Sequence, residues 1–337
     1  MPSLLEAACL ELALSPRTYM KPQLVEHSGL DTKSQEGRND FEPSSLLKLY
    51  LPGMSTSCLL QLIGSEELQR KADDVASPRG LRGSKRLKLS QAGLLQGELL
   101  WGSGLVLAAW LVSSGSVQSR RVLELGSGLG TGGLVAATLG AHEVVVSDRP
   151  GPVLDRLQRN LRLNAVKHRE HELPLRAWAL DWAAAQPTEG EAPVFDVILG
   201  ADILYDRSSL PSLVLALQNH LAPGGSFYCV DPGRLDNCAV RNSFVRHLCE
   251  EHPEWECDER TLEASMPAAE SMCMMPGAVD AQSMMHPHIH IRLHEQRRRG
   301  LAAALGLPEA ALGQTISVHQ LIAADAPYKL LVVHRPV

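Results

Sequence analysis

Hydrophobic and polar positions along the chain follow two rhythms, and these alternate most regularly between residues 97 and 262. Short apolar runs at 122–125, 143–148, 175–180, 195–201 and 226–230 have the length and the β-branched or aliphatic content of buried strands. Between them apolar residues recur every three or four positions: Leu105, Ala108, Ala109 and Val112; residues 134–139; Leu154, Leu157 and Leu161; Leu210, Leu213, Leu217 and Leu221; Val240, Phe244 and Leu248. Each set predicts a helix with one face on a core. Small and turn-forming residues mark the changes of rhythm: the glycines from Gly126 to Gly133, Asn164 as a helix stop, and Pro223-Gly224-Gly225 before the fifth run. Residues 255–262 and 328–334 read as two later strands without a clear helix between them. Five strands alternating with helices, then a helix and two more strands, predict an α/β fold with a mostly parallel sheet and helices on both faces.

The rhythm weakens toward the amino terminus and again after residue 262. Residues 4–14 and 55–70 have helical spacing and are separated by the polar stretch 26–39, which predicts a small helical amino-terminal extension over residues 1–95. The basic run at 77–88 reads as a solvated loop. Six of the nine methionines fall between Met266 and Met285, in a stretch of little charge and no sustained period, so residues 263–325 read as an insertion. Within it His286, His288, His290, Arg292 and His294 alternate with Ile289, Ile291 and Leu293, the pattern of an exposed edge strand. No second cluster of ligands accompanies these histidines, and no metal site is assigned.

Composition narrows the function classes. The 337 residues carry a formal net charge of -6, which argues against a protein that coats nucleic acid. The longest apolar stretch, 99–112, is interrupted by Gly102 and Gly104 and is shorter than the ~20 residues of a membrane helix, so no span is expected. Seven cysteines without a Cys-x-x-Cys pair fit a reducing compartment, and residues 1–20 lack a secretory or transit pattern. The expectation is a cytoplasmic protein, with the nucleus as the alternative.

Candidate chemistry collects where the apolar runs end. Glu124-Leu125-Gly126-Ser127-Gly128-Leu129-Gly130 turns the first strand into a helix. Its glycines let a ligand approach the backbone, and the helix start offers free N–H donors. Asp148 ends the second run, where an acid can accept hydrogen bonds from both hydroxyls of a ribose. Asp181-Trp182 closes the third run and can hold an adenine amino group and cover its ring. Trp101 opens the helix before the first strand, as core or as a pocket edge. Ala201-Asp202-Ile203-Leu204-Tyr205 follows the fourth run; ligands in open α/β sheets sit outside the carboxyl ends of the strands, so Asp202 and Tyr205 are the reaction-site candidates.

The Glu124 to Gly130 stretch resembles the first motif of the class I, Rossmann-like, seven-strand S-adenosylmethionine-dependent methyltransferases, whose sheet closes with an antiparallel strand. Within that superfamily the tryptophan helix, Asp148, the helix with Asn160 and Asn164, Asp181-Trp182 and Asp202-Ile203-Leu204-Tyr205 resemble the protein-lysine methyltransferase branch with an Asp-x-x-Tyr motif. The resemblance covers about residues 95–262 and the last strand. It implies a methyltransferase domain at 96–337, S-adenosylmethionine as cofactor and a protein lysine as acceptor. It also implies Glu124, Gly126 and Gly128 around the methionine and ribose portions, Asp148 on the ribose, and Asp181 and Trp182 at the adenine end. Trp101 and Ala201 complete the cofactor-binding set, and Asp202 and Tyr205 form the catalytic pair. Asp231-Pro232-Gly233-Arg234 resembles the same strand end in relatives that methylate the electron-transfer flavoprotein β-subunit and in bacterial relatives labelled nicotinamide methylases, so the acceptor stays open.

Rival readings remain at this point. Gly128-Leu129-Gly130-Thr131-Gly132-Gly133 also fits Gly-x-Gly-x-x-Gly, the mark of an NAD-dependent oxidoreductase. A methyltransferase acting on a small molecule or another protein nitrogen is a second rival, and a non-catalytic binding module a third. Nothing in the sequence fixes an oligomeric state.

Overall fold

The computed structural model describes residues 46–50, 57–61, 96–98, 100–167, 173–182, 184, 192–233, 235–262, 290–292, 315–317 and 327–337. The elements among them are β1 (Leu46–Tyr50), β2 (Ser57–Gln61), α1 (Gly102–Ser114), β3 (Arg121–Leu125), α2 (Thr131–Thr138), β4 (Glu143–Asp148), α3 (Pro152–Lys167), β5 (Leu175–Ala179) and β6 (Phe195–Ala201). They continue with α4 (Leu210–His220), β7 (Leu221–Pro232), α5 (Leu235–Glu251), β8 (Glu256–Leu262), β9 (His290–Arg292), β10 (Thr315–Ser317) and β11 (Tyr328–His334).

Seven strands form the main sheet in the order β5-β4-β3-β6-β7-β11-β8. Strands β3 to β7 pair in parallel, and β11 lies antiparallel between β7 and β8, as expected for the closing strand. The chain runs outward from β3 through β4 and β5 and then returns to the other side of β3 as β6. That reversal leaves a crevice at the carboxyl ends of β3 and β6.

Both faces of the sheet are covered, which explains why its strands are apolar without alternation. On β3, Val122 joins the core built with α1, α2 and α3, while Leu123 and Leu125 join the core built with α4 and α5. Val144 and Val146 of β4 face the first core and Val145 the second; Val197 and Leu199 of β6 face the first and Ile198 the second. Helix α1 is apolar all round because it is enclosed on several sides: Trp110 packs on Tyr228 of β7 with ring centroids 4.8 Å apart, and Leu105, Leu107 and Ala108 are fully buried. It stops at Gly115, whose φ of 64° is the left-handed conformation of a helix C-cap.

Helix α3 has a buried stripe with helical spacing, Val153, Arg156, Leu157, Asn160 and Asn164, and three of these five are polar. Each polar member has a specific partner. Arg156 pairs with Glu98 at 3.1 Å, both side chains being buried. Asn160 accepts the Gln61 N–H at 2.7 Å and donates to the Leu129 carbonyl at 2.9 Å. Asn164 accepts the Leu59 N–H at 2.8 Å and donates to the Leu59 carbonyl at 2.7 Å. The two asparagines supply β2 with the hydrogen bonds that a neighbouring strand would give.

Four sequence expectations are corrected here. The alternating run that contains β9 is not an edge strand, because β9 pairs with β1 on one side and β10 on the other. The amino-terminal extension is not helical where it is described: Ser57–Gln61, within the stretch given helical spacing, is a strand, and so is Leu46–Tyr50. The reason is that Cys58 and Leu60 are buried while Leu59 between them is half-buried, a period of two inside a run also compatible with helical spacing. These strands belong to a second, antiparallel sheet of order β10-β9-β1-β2, in which Leu49 of β1 pairs with Ile291 of β9, so the amino-terminal segment and the later insertion share one sheet. Asn164 does not stop α3, which runs on to Lys167: its side chain bonds both backbone groups of Leu59 in β2 and donates to the Asn160 carbonyl one turn back in its own helix. Pro223-Gly224-Gly225 lies inside β7, which already pairs Leu221 with Phe195 before a register shift. The expectations for residues 4–14, 26–39, 77–88 and 263–287 lie outside the described residues.

Replacing Asn164 with Ala strips Leu59 of both partners and is expected to lower the unfolding free energy by about 2 kcal/mol. Urea midpoints measure the loss, and amide exchange at Leu59 should accelerate; unchanged exchange there contradicts the role given to Asn164.

Candidate active site

The site begins where β3 runs out. Glu124 faces the side of the sheet covered by α1, α2 and α3, and its carboxylate accepts the N–H groups of Gly132 at 3.2 Å and Gly133 at 3.0 Å, the first turn of α2. An acid is stabilised there by the positive end of the helix. Burial is the larger effect and pushes the Glu124 carboxyl up to about 7, against the Gly133, Ser127 and Gly132 hydrogen bonds that lower it. Only glycine fits at 133, where a Cβ would collide with Val146 of β4.

The turn itself passes through Gly126 and Gly128 at φ values of 59° and 54°, a region that side-chain-bearing residues rarely occupy. A Cβ on Gly128 would also lie 3.1 Å from the Gly97 carbonyl, so the 3₁₀ turn Gln96–Glu98 rests directly on the glycine loop. That short turn is anchored by the buried Glu98–Arg156 pair, where loss of one partner would strand the other charge at a cost of about 3–5 kcal/mol. Ser127 fastens the loop to β4 by donating its backbone N–H to the Ser147 carbonyl at 2.8 Å and accepting the Ser147 N–H on its hydroxyl at 3.0 Å.

Asp148 ends β4. One carboxylate oxygen accepts the Gly128 N–H and the other the Arg149 N–H, each at 2.8 Å, and burial raises its carboxyl above the ordinary value. Each oxygen retains a second lone pair for a ligand hydroxyl. At the end of β5, Leu180 donates its N–H to the Asp148 carbonyl at 2.9 Å, so Asp181 and Trp182 follow at a fixed place beside the glycine loop. The Trp182 ring comes within 3.3 Å of where a Gly126 Cβ would stand.

Across the crevice, β6 ends at Ala201 and Asp202 turns with φ 56°, one of two non-glycine residues with positive φ among those described. Such a conformation costs of order 1–3 kcal/mol and is kept only where neighbours hold it. The Asp202 N–H donates to the Val230 carbonyl at 2.9 Å, and Ile203 is buried against the space left by Gly126 and Gly200. Tyr205 is 53% exposed at the mouth. Asp206 then caps the turn into α4 by accepting the Ser208 N–H at 2.9 Å and the Ser208 hydroxyl at 2.7 Å, which lowers its carboxyl below the ordinary value.

These pieces bound a single cleft of about 410 Å³. All ten residues singled out from sequence line it: Trp101, Glu124, Gly126, Gly128, Asp148, Asp181, Trp182, Ala201, Asp202 and Tyr205. Sequence reasoning missed Gly97, Ser209, Ser212 and Asn237 on the same walls. The capping pattern of Asp206 and Ser208 marks the start of α4 and could have pointed to the first two of the polar residues. Asn237 carries no comparable signal.

The chain resembles known proteins over this region. A model of the family described as lysine methyltransferase matches residues 83–242. Over 152 residues the chain is 35% identical to the protein N-lysine methyltransferase METTL21A of Xenopus tropicalis, covering 45% of this chain and 67% of that relative. Over 133 residues it is 38% identical to the protein-lysine N-methyltransferase EFM3 of Chaetomium thermophilum, covering 37% of this chain but only 39% of that relative. A methyltransferase of solved structure from Pyrococcus furiosus superposes over 69% of this chain and 83% of its own with 12% identity and a TM-score of 0.39, too loosely to bear on activity.

The state of Glu124 has a measurable consequence. With a folded value near 7 against 4.5 when exposed, the folded chain holds the extra proton between those values. Stability from this group is therefore greatest at low pH and falls as pH rises through that window. Replacing Glu124 with Gln should flatten this limb in urea midpoints measured from about pH 5 to about pH 8, whereas an unchanged slope would place the titration elsewhere.

Proposed function

The chain belongs to the lysine methyltransferase family, and from that premise we propose that this cleft binds S-adenosylmethionine and directs its methyl group to the side-chain nitrogen of a lysine in another protein. The observation that carries the reading is the meeting of the glycine loop and the Asp202 turn across one crevice, with Ile203 packed between them.

The cleft suits such a cofactor. Its volume lies in the range of small-molecule sites. Its walls combine the carboxyl groups of Glu124, Asp148, Asp181 and Asp202 with the indoles of Trp101 and Trp182, a set matched to a ligand bearing a sulfonium, an ammonium, a ribose and a purine. On this reading Asp148 takes the ribose hydroxyls, Asp181 and Trp182 the purine, and the backbone of Gly126 and Gly128 the centre of the ligand. Glu124 lines the cleft at the methionine end while it holds the first turn of α2. Trp101 and Ala201 close the edge.

S-adenosylmethionine, when bound, supplies an electrophilic methyl group on a sulfonium sulfur. The chain has little covalent work to do; it positions a neutral nucleophile in line and keeps water out. A lysine amine has an unperturbed pKa of about 10.4 and must shed a proton to solvent before it attacks, which desolvation at the mouth favours. Asp202, held at its fixed turn, accepts a hydrogen bond from the amine and orients its lone pair. Tyr205 presents an aromatic wall to the entering side chain, whose charged form is attracted to the ring face. We further propose a cytoplasmic setting, because seven cysteines without a Cys-x-x-Cys pair suit a reducing compartment.

Calorimetric titration should show saturable heat with S-adenosylhomocysteine and none with NAD; binding of NAD alone would sink the methyltransferase reading in favour of the dinucleotide one. Asp202→Ala should lower transfer of tritiated methyl into lysate protein by about 10²-fold or more while affinity for S-adenosylhomocysteine changes little. Undiminished transfer would remove Asp202 from the mechanism.

A further inference from the structure

The strongest buried group that this mechanism does not use is Asp231. It stands near the end of β7, adjacent to β6, and is fully buried. Its two oxygens accept the Leu204 N–H at 3.4 Å and the Cys229 S–H at 3.2 Å, and neither donor is charged. Arg241 lies close enough to act through space, but its Nε donates to Glu259 at 2.6 Å and its Nη2 to Cys238 at 3.4 Å. A carboxyl group with only neutral donors is an expensive occupant of a core, where an apolar side chain of the same size would serve stability as well or better. Burial pushes this carboxyl up to about 6.

What the group holds is the turn between Asp202 and Tyr205. The left-handed backbone at Asp202 persists only if its surroundings impose it. The Asp202 N–H to Val230 bond and the lodged Ile203 side chain fix the entry to the turn. The Leu204 N–H bond to Asp231 fixes the peptide that leads into Tyr205. In sequence, Asp231 entered only through the resemblance of Asp231-Pro232-Gly233-Arg234 to a strand end in relatives, which gave no hint of this contact.

We propose that Asp231 is a positioning residue for the acceptor side of the cleft: by catching the Leu204 N–H it sets the direction in which Asp202 and Tyr205 meet the incoming nitrogen. This rests on reading the cleft as a lysine-methylating site.

The test uses the full chain and two substitutions. Asp231→Leu fills the same space without an acceptor, and Asp231→Asn keeps a carbonyl oxygen for Leu204. The readouts are affinity for S-adenosylhomocysteine, transfer of tritiated methyl from S-adenosylmethionine into lysate protein, and amide exchange across residues 202–205 with S-adenosylhomocysteine bound. Asp231→Leu should bind S-adenosylhomocysteine within about 3-fold of the parent, lose about 10²-fold in transfer, as small misplacements of reacting groups do, and exchange faster at Leu204. Asp231→Asn should bring transfer back to within about 10-fold of the parent. Parental transfer by Asp231→Leu, failure of Asp231→Asn to rescue, or a loss of S-adenosylhomocysteine affinity as large as the loss of transfer would each overturn the proposal. Should Asp231→Leu not fold, Asp231→Ser, whose hydroxyl is too short to reach Leu204, takes its place. If the parent labels no protein, the methylation reading fails by itself and exchange decides: faster exchange at Leu204 in Asp231→Leu supports the positioning role, and an unchanged rate overturns it.

Discussion

The contact between the Glu124 carboxylate and the N–H groups of Gly132 and Gly133 is the constraint from which the rest of the site follows. It ties the end of β3 to the start of α2 and forces the intervening residues into a tight left-handed path. It also requires glycines, since a side chain at either position would invade Glu124 or Val146. With that loop closed, Gly128 can offer its N–H to Asp148 and lie flat beneath the Gln96–Glu98 turn. A buried carboxyl with a value near 7 is the cost of this arrangement, offset in part by the helix end that it caps.

The other half of the cleft depends on packing more than on hydrogen bonds. Gly126 and Gly200 leave a notch, and Ile203 fills it. Because Gly126 belongs to the glycine loop and Ile203 follows Asp202 directly, one side chain lies between the two halves. The sheet makes this possible because β3 and β6 are parallel neighbours from which the chain winds outward in opposite directions, so that both loops leave the strand ends on the same side.

Much of this was legible from residue order alone, for physical reasons that differ by element. Strands of the main sheet are buried on both faces, and continuous runs such as Val144-Val145-Val146 announce that condition directly. Most of the ten cleft-lining residues were legible because they stand at or just past the end of such a run, where the topology gathers loops; Trp101 instead opens α1. Of the small sheet only the alternating run that contains β9 was legible, and its pairing on both sides was not. The sheet's strands are three to five residues long, and Leu49 meets Ile291 across most of the chain, beyond any local period. Ser57–Gln61 is held as a strand partly by α3, whose Asn160 and Asn164 bond the backbone of Leu59 and Gln61 where a partner strand would otherwise pair. The pairing of Glu98 with Arg156 and the contact of Asp231 with Leu204 were hidden for a related reason: each joins positions far apart in the chain, and nothing in the neighbouring residues signals the partner.

The central claim is that the cleft serves a lysine nitrogen. The most direct measurement incubates the full chain with tritiated S-adenosylmethionine and a cell lysate, hydrolyses the labelled protein completely and separates the amino acids. The account predicts label that migrates with methylated lysine and disappears with Asp202→Ala. Label on another amino acid, or recovered only in small molecules, would contradict it.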